Sequence, residues 1–194
     1  MKSRANRLFI DVGVGFGKEA EKKGRPVNCA IIGLETDTNR YNIMKDIYVG
    51  TLLNVVASDK DGEIECWEHP KFGVQLSMTE FHSVDSGWKR VKKKTVKLDS
   101  LEWESFNEIH IWADVQGSEL LMLKGATKML LSGRVVWIQL EVMKNPFAVV
   151  GVCENWVTGK QVYEFLDECG FKPSVELNQL PEEEHKDVVF TRMK

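Results

Sequence analysis

Residues 8–17 read LFIDVGVGFG, an apolar run that ends in three closely spaced glycines. A short, mostly apolar run that ends at glycines predicts a buried strand. Glycines lack Cβ atoms, so the backbone can turn sharply after the strand and approach a ligand closely. Residues 18–23 are polar and compatible with a helix that ends at Gly24. The order strand, glycine loop, helix predicts an α/β fold.

Strand and helix patterns alternate along the rest of the chain. Further strands are predicted at 28–35, 52–57, 63–67, 109–114, 135–142 and 187–193, and helices at 38–47, 119–131 and 159–169. Residues 96–101 are predicted to form a short strand or a turn segment. The polar stretch 72–94 is predicted to be a variable loop that carries substrate-specific elements. This alternation predicts one domain over residues 1–194, with a mostly parallel sheet and helices on both faces.

Charge and composition limit the classes of partner. The net charge is −3, which argues against a general nucleic-acid binder because neutralising phosphates requires clustered Lys and Arg. The basic run 89–94 beside Trp88 is a local exception, and we interpret it as a solvated loop or edge strand. Four separated cysteines and the lack of a long apolar segment predict a soluble, cytoplasmic protein that does not enter the membrane.

The glycine loop and Glu35 together predict a cofactor site. Glu35 ends the second predicted strand, where a carboxylate can accept hydrogen bonds from both hydroxyls of a ribose. The loop spacing is G-x-G-x-G and not the G-x-G-x-x-G of dinucleotide binders, which favours S-adenosylmethionine over NAD. A tight turn that binds no ligand is the alternative.

Acidic residues follow two later strands. Asp114 ends the strand at 109–114, at the sheet edge where α/β proteins bind ligands, and could orient a hydroxyl nucleophile or take its proton. Gln116 and Glu119 open the next helix and are candidates for substrate contact, although Asp114 and Glu119 could instead cap that helix. Glu141 lies in an apolar strand and is a second catalytic candidate, or it forms an ion pair with Lys144 or another neighbour.

The four histidines show no spacing typical of metal ligands, so no metal site is predicted. His82 lies in the variable loop and is the histidine candidate for substrate contact.

Several segments carry a resemblance to a known family. They are FIDVGVGFG, IIGLETD, NVVASDKDGEIECW, VKLDSL, ADVQGSELLMLKGA, IQLEV, FLDECGF and DVVFTR, in this order from Leu8 to Arg192. The chain thereby resembles the FkbM-type methyltransferases, and DVQGSELxxLKGA is the most specific part of the likeness. The resemblance implies a Rossmann-like class I methyltransferase fold with a seven-stranded sheet. It also implies S-adenosylmethionine as cofactor and methylation of oxygen on a small molecule or sugar.

The resemblance also assigns roles to individual residues. By it, the methionine and ribose side of the cofactor would lie against Asp11, Gly13, Gly15 and Gly17. Glu35 would hold the ribose hydroxyls, Ser58 or Asp59 would lie near the adenine, and Asp114 would lie beside the transferred methyl group.

The chain departs from the family pattern at three places. Trp112 stands where the family usually has Lys, Thr36 where it often has Pro, and the glycine loop lacks the usual Asn. The missing Lys leaves substrate class and catalytic mechanism open. Three alternatives therefore stay: a methyltransferase that acts on RNA or protein, a non-catalytic S-adenosylmethionine-binding protein, and an NAD oxidoreductase.

Overall fold

A computed structural model describes residues 6–17, 25–69, 73–75, 89–115, 117–144, 158–182 and 184–193. Its strands, in chain order, are β1 (Arg7–Val12), β2 (Ala30–Leu34), β3 (Thr51–Leu53), β4 (Val56–Ala57), β5 (Gly62–His69), β6 (Gly73–Gln75), β7 (Lys89–Val96), β8 (Glu108–Ala113), β9 (Val135–Met143), β10 (Phe171–Pro173) and β11 (His185–Arg192). Its α-helices are α1 (Thr38–Met44), α2 (Glu119–Lys124), α3 (Thr127–Leu131) and α4 (Gly159–Glu168).

Seven strands form the main sheet in the order β10-β11-β9-β8-β1-β2-β3. Neighbouring strands are parallel except where β11 runs against β9 and β10. The predicted seven-stranded, mostly parallel sheet is confirmed. The chain leaves β1 for β2 on one side and later returns to β8 on the other, and the crevice at such a reversal of strand order is where α/β sheets bind ligands. The glycine loop follows β1 at this point.

The main core lies on one face of the sheet. Alternate residues of β1 point to opposite faces, and Leu8, Ile10 and Val12 belong to a large buried cluster with side chains of α2, α3 and α4. Phe9 and Trp112 form a smaller buried cluster on the other face. Trp112, which stands where the family usually has Lys, is therefore a packing residue, with 2% of its surface exposed.

The predicted helix 119–131 is in fact two helices, and Asp99 stabilises the break between them. A Cβ at Gly125 would collide with the backbone carbonyl of Ser58, so the close approach requires glycine. Asp99 donates its N–H to the Gly125 carbonyl, and its carboxylate accepts the N–H groups of Lys128 and Met129 at 2.8 and 2.7 Å. The carboxylate thereby caps α3, whose own N-cap position carries Ala126.

The predicted strand 52–57 is also two elements. Residues 51–53 pair with β2 in the main sheet, whereas β4 pairs with β7 in a second sheet of order β4-β7-β5-β6. The side chain of Asn54, at the junction, donates to the Glu35 carbonyl at 2.7 Å. The sequence pattern of residues 52–57 does not indicate that its two halves pair with different strands.

Part of the predicted loop 72–94 is strand. β6 and β7 both pair antiparallel with β5, so the basic run 89–94 is strand and not loop. Within the described residues β4 pairs with β7 only at Thr95 and Val96, so 89–94 are paired with β5 on one side, which agrees with the edge-strand alternative. The acidic residues of β5 face it in register, with Glu68 opposite Lys89, Glu65 opposite Lys92 and Glu63 opposite Lys94. Cross-strand attraction of opposite charges favours this pairing in a segment that reads as polar loop.

The remaining boundaries differ little from the predictions. α1 ends at Met44 and not at residue 47, and residues 98–100, within the segment predicted as a strand or a turn, form a turn of 3₁₀ helix. The predicted helix at 18–23 lies outside the described residues. No helix within the described ranges combines the length and the apolar character that crossing a membrane requires.

Candidate functional site

The three glycines after β1 have different roles in the structure. All have positive φ angles, between 59° and 81°, which L-residues with side chains rarely adopt. A Cβ at Gly13 would collide with the backbone carbonyl oxygen of Asp114, and one at Gly17 would lie 2.6 Å from Cε of Met44. A Cβ at Gly15 would meet no atom within 4 Å. Gly13 therefore allows close contact between two strand ends, whereas Gly15 borders open space.

Glu35 connects the glycine loop to the end of β2. Its carboxylate accepts the N–H of Gly15 at 2.8 Å with Oε2 and the N–H of Asp37 at 2.7 Å with Oε1. Only 4% of Glu35 is exposed. Burial raises the pKa of its carboxyl, while the two backbone N–H groups act in the opposite direction. Since a carboxylate oxygen has two lone pairs, each oxygen of Glu35 can accept a further hydrogen bond from a ligand hydroxyl.

Asp11 is buried within β1 on the same face as Phe9. Its Oδ2 accepts a hydrogen bond of 3.0 Å from the hydroxyl of Tyr48, and the ring of Tyr48 covers the backbone of Gly33. Burial is the main cause that raises the pKa of the Tyr48 hydroxyl, and the charge of Asp11 raises it as well. The hydroxyl therefore remains a donor. The bond fixes Asp11 directly before the glycine loop.

Asp114 lies immediately after β8, next to the glycine loop. Its N–H donates to the Val12 carbonyl at 3.0 Å, and its own carbonyl lies against Gly13. Ala113 pairs with Leu140 in register, so the next position along the parallel strands places Asp114 beside Glu141. The two catalytic candidates of the sequence analysis are thus neighbours at one edge of the sheet.

Glu119 is the first residue of α2 and is 5% exposed. Its Oε1 accepts the N–H of Gly117 at 3.1 Å, and Gly117 lies before Ser118, the N-cap residue of α2. The choice between a substrate contact and a capping role for Glu119 stays open. Its pKa is raised to about 7, mainly by burial and also by the charges of Asp114 and Glu141, while backbone hydrogen bonds act in the opposite direction. We call Asp114, Glu119 and Glu141 the carboxylate cluster.

Glu141 contacts a histidine that the sequence analysis did not select. Its Oε2 lies 3.2 Å from Nδ1 of His185, at the start of β11. Lys144, the ion-pair partner considered for Glu141 from the sequence, contacts Glu182 at 2.6 Å. His185 lies 44 residues beyond Glu141 and begins an antiparallel strand, so only the strand register could have revealed the pair.

The structure adds little to the roles predicted for the other site residues. Ser58 is 1% exposed and its hydroxyl lies 3.2 Å from Oδ1 of the exposed Asp59, at the end of β4. Their predicted position near an adenine stays a prediction. Gln116 and His82 lie outside the described residues, and their predicted substrate contacts also stay predictions.

The described residues fit S-adenosylmethionine in shape and in charge. Gly15 leaves open space beside Glu35, whose oxygens can accept from a ribose. The carboxylate cluster lies across the Gly13–Asp114 contact from this position, and its negative charge complements a positively charged sulfur. Within the described ranges, no group of three His, Cys, Asp or Glu side chains has the arrangement to hold a metal ion.

Comparison with known families gives one match. The family model described as the methyltransferase FkbM domain matches residues 11–173, which contain the glycine loop, Glu35 and the carboxylate cluster. No protein among the curated sequences matches the chain.

Solved structures share the fold at low sequence identity. A candidate S-adenosylmethionine-dependent methyltransferase from Listeria monocytogenes has a TM-score of 0.50 and 10% identity, over 100% of this chain and 93% of its own. EvdMO1 has a TM-score of 0.48 and 14% identity, over 97% of this chain but 37% of its own. Its N-terminal domain, crystallised with SAH and D-fucose, has a TM-score of 0.47 and 12% identity, over 97% of this chain and 76% of its own. This chain therefore spans about a third of full-length EvdMO1.

Proposed function

The chain belongs to the methyltransferase FkbM domain family of S-adenosylmethionine-dependent enzymes, and we propose that it methylates a hydroxyl oxygen of a small molecule or sugar. When bound, S-adenosylmethionine supplies a methyl group on a positively charged sulfur, which is already activated for transfer. The protein then has to hold the acceptor in line with that methyl group and remove a proton from it.

The observation that carries the proposal is the position of Glu35. Its carboxylate is buried, accepts the N–H of Gly15 and lies beside the open space at that glycine. In this proposal Glu35 holds the two ribose hydroxyls, while Asp11 and the glycine loop face the rest of the cofactor. The methyl-bearing end then lies near Asp114, because Gly13 brings the loop into contact with that residue.

A hydroxyl acceptor is favoured by the groups at the ends of β8, β9 and β11. An alcohol binds its proton tightly, so methyl transfer to oxygen benefits from a base close to the acceptor. Asp114, Glu141 and His185 are bases that lie at this sheet edge. Asp114 is the carboxylate that we propose for orienting the acceptor, and Glu141 is the second candidate, as expected from the sequence.

Methylation of RNA is less well supported. The basic side chains of β7 that could dock RNA face acidic partners on β5, with Lys93 Nζ 2.7 Å from Glu68 Oε1 and Arg90 4.0 Å from Glu65. Charges neutralised within the protein contribute little to phosphate binding. The discriminating measurement is the affinity for RNA at two salt concentrations, for which we expect no salt-dependent binding.

The proposal is tested in two steps, binding first. Calorimetric titration with S-adenosylhomocysteine should give a Kd that is weakened at least tenfold by Glu35→Gln, because the amide cannot accept from both hydroxyls. Glu63→Gln, which removes an exposed carboxylate from β5, should leave the Kd unchanged. If NAD but not S-adenosylhomocysteine stabilises the protein against heating, the cofactor assignment fails.

Turnover is the second step. Formation of S-adenosylhomocysteine is followed with panels of sugars and small alcohols, and with amines, RNA and protein as comparisons. Turnover with hydroxyl acceptors is expected. Cofactor binding without turnover on any acceptor would instead identify a non-catalytic binder, and turnover with amines or RNA alone would overturn the acceptor class.

A further inference from the structure

The start of β11 brings a histidine to the edge of the sheet where the carboxylate cluster lies. β11 runs antiparallel to β9, so its first residues lie beside the last residues of β9. His185 pairs in register with Met143, and Asp187 pairs with Glu141. His185 and Glu141 are therefore diagonal neighbours, which are within reach of each other's side chains when they point to the same face.

That face is the one that carries Asp11 and Trp112. Leu140 and Val142 of β9 and Val188 of β11 belong to the large core cluster on the opposite face. Side chains alternate along a strand, so Glu141 and His185 both point away from that core. The β9–β11 pair thus places His185 on the same face of the sheet as Asp11, which precedes the glycine loop.

The His185 ring combines a carboxylate contact with partial exposure to solvent. Nδ1 lies 3.2 Å from Oε2 of Glu141, and the side chains are 32% and 28% exposed. Contact of Nδ1 with a carboxylate favours the tautomer that carries its proton on Nδ1, which makes Nε2 the basic nitrogen. Nε2 is then the ring nitrogen that would take up a proton from an acceptor.

Acidic groups surround the histidine on several elements. The hydrogen bond to Glu141 raises the pKa of His185, its burial acts against this, and the charges of Glu141, Glu119 and Asp114 raise the pKa further. The other charged groups near this edge are Lys186 and Asp187 of β11 and the ion pair of Lys144 with Glu182. The histidine is thus within electrostatic reach of all three members of the carboxylate cluster.

We propose that His185 is the general base that removes the proton of the acceptor hydroxyl, and that Glu141 is its positioning residue. This inference rests on the proposed function, because it needs a hydroxyl acceptor at this edge. It assigns separate tasks to the two sides of the site. Glu35 binds the cofactor, whereas His185 activates the acceptor.

The proton transfer balances without any further reactant. The acceptor oxygen forms a bond to the methyl carbon as the methyl–sulfur bond breaks, and the sulfur keeps that electron pair. The hydroxyl proton passes to Nε2 of His185, which becomes an imidazolium stabilised by the Glu141 carboxylate. Release of this proton to water restores the neutral ring.

NMR can distinguish a general base from a His185–Glu141 pair that has only a structural role. The chain has four histidines, so the ring signals can be assigned with a His185→Gln variant. S-adenosylmethionine carries a positive sulfur and S-adenosylhomocysteine does not. If His185 faces the methyl group, its titration midpoint should be lower by about 0.5–1.5 pH units with the first than with the second.

His110 is the internal control for this titration. It contacts Glu108 near the beginning of β8, about 13 Å along the strand from Asp114, and its midpoint should be the same with both ligands. Glu141→Gln should lower the His185 midpoint in the free protein. An unchanged His185 midpoint between the two ligands would overturn the proposal.

Activity provides the second measurement. With any acceptor that turns over, His185→Gln should lower kcat at least 100-fold and leave the Kd for S-adenosylhomocysteine within twofold. Glu141→Gln should move the rising limb of the pH–kcat profile to lower pH. Full activity of His185→Gln would overturn the role of the histidine and leave the proposed function intact. If the wild-type protein did not bind S-adenosylhomocysteine, the proposed function itself would be overturned.

Discussion

Gly13 and Gly15 have different roles in the glycine loop, because a Cβ atom would collide with a neighbour at Gly13 but not at Gly15. The backbone at Gly13 touches the Asp114 carbonyl, and the position of a Cβ at Gly15 is empty. Both residues have positive φ, so alanine at either position strains the backbone. The collision adds a second cost at Gly13 only.

We therefore expect Gly13→Ala to lower the free energy of unfolding by about 3–5 kcal/mol, or to prevent folding. Gly15→Ala should lower it by about 1–2 kcal/mol. Urea denaturation of both variants measures the difference. Equal losses would show that Gly13 does not form the close contact with Asp114.

Glu119 provides a pH-dependent test at the same scale. Its pKa rises from 4.5 to about 7 on folding, so the folded protein binds this proton more tightly than the unfolded chain does. The resulting stabilisation is complete below pH 4.5 and is lost as the pH rises towards and beyond 7. At neutral pH the buried charge of Glu119 opposes folding.

Glu119→Gln should remove this dependence. Relative to wild type, the variant should gain about 3 kcal/mol of stability between pH 4.5 and pH 8. Urea denaturation across this pH range gives the difference directly. The control is Glu104→Gln, whose exposed carboxyl has a lowered pKa through Lys128 and should show no such gain. A constant difference for Glu119→Gln would contradict the raised pKa.

Candidate site residues could be recognised from the sequence only where they lie at the end of an apolar strand pattern. Glu35, Asp114 and Glu141 each follow or close an apolar run, and the structure brings Asp114 and Glu141 together. His185 opens its strand and depends on the β9–β11 register for its contact with Glu141. No local pattern carries that information.

At the scale of elements, breaks in regular structure depend on contacts from distant parts of the chain. The apolar pattern of 119–131 predicts one helix, but the backbone N–H groups of Lys128 and Met129 bind Asp99. The strand prediction for 52–57 failed for a similar reason, since its two halves pair with different sheets. Patterns within a segment cannot show which distant partner interrupts it.

The cap on α3 leads to a prediction about stability. Asp99→Ala removes the acceptor of two helix N–H groups and should lower the free energy of unfolding by about 2 kcal/mol. Asp99→Asn retains one acceptor oxygen and should lose less. Glu102→Ala, at an exposed position nearby, should change stability by less than about 0.5 kcal/mol. Thermal or urea unfolding measures all three, and an unchanged Asp99→Ala would show that α3 does not need this cap.

The second sheet is connected to the cofactor side of the main sheet. Lys93 of β7 contacts Glu68 and also the hydroxyl of Thr38, the first residue of α1, at 2.9 Å. α1 begins three residues after Glu35 and is capped by Asp37, whose N–H binds the Glu35 carboxylate. The charged strands thus support the loop around Glu35, a role that the charge run alone did not indicate.

At the scale of the whole molecule, the alternation of strands and helices was enough to predict the main sheet. The apolar runs of β1, β2, β8 and β9 are long and bounded by glycine or acidic residues, so their pattern is clear. The short second sheet depends on cross-strand charge pairing between β5 and β7, which a search for apolar periodicity does not detect.

In the proposed function, the site has a cofactor side at β1 and β2 and an acceptor side at β8, β9 and β11. The two sides meet where Gly13 contacts Asp114. By this proposal the cofactor extends across the contact, with its ribose end at the Glu35 carboxylate.

A crystal structure with S-adenosylhomocysteine tests this arrangement most directly. Both ribose hydroxyls should lie within hydrogen-bonding distance of the Glu35 carboxylate, with the sulfur on the Asp114 side of the glycine loop. A ribose bound away from Glu35, or a sulfur that points away from Asp114, would contradict the division of the site.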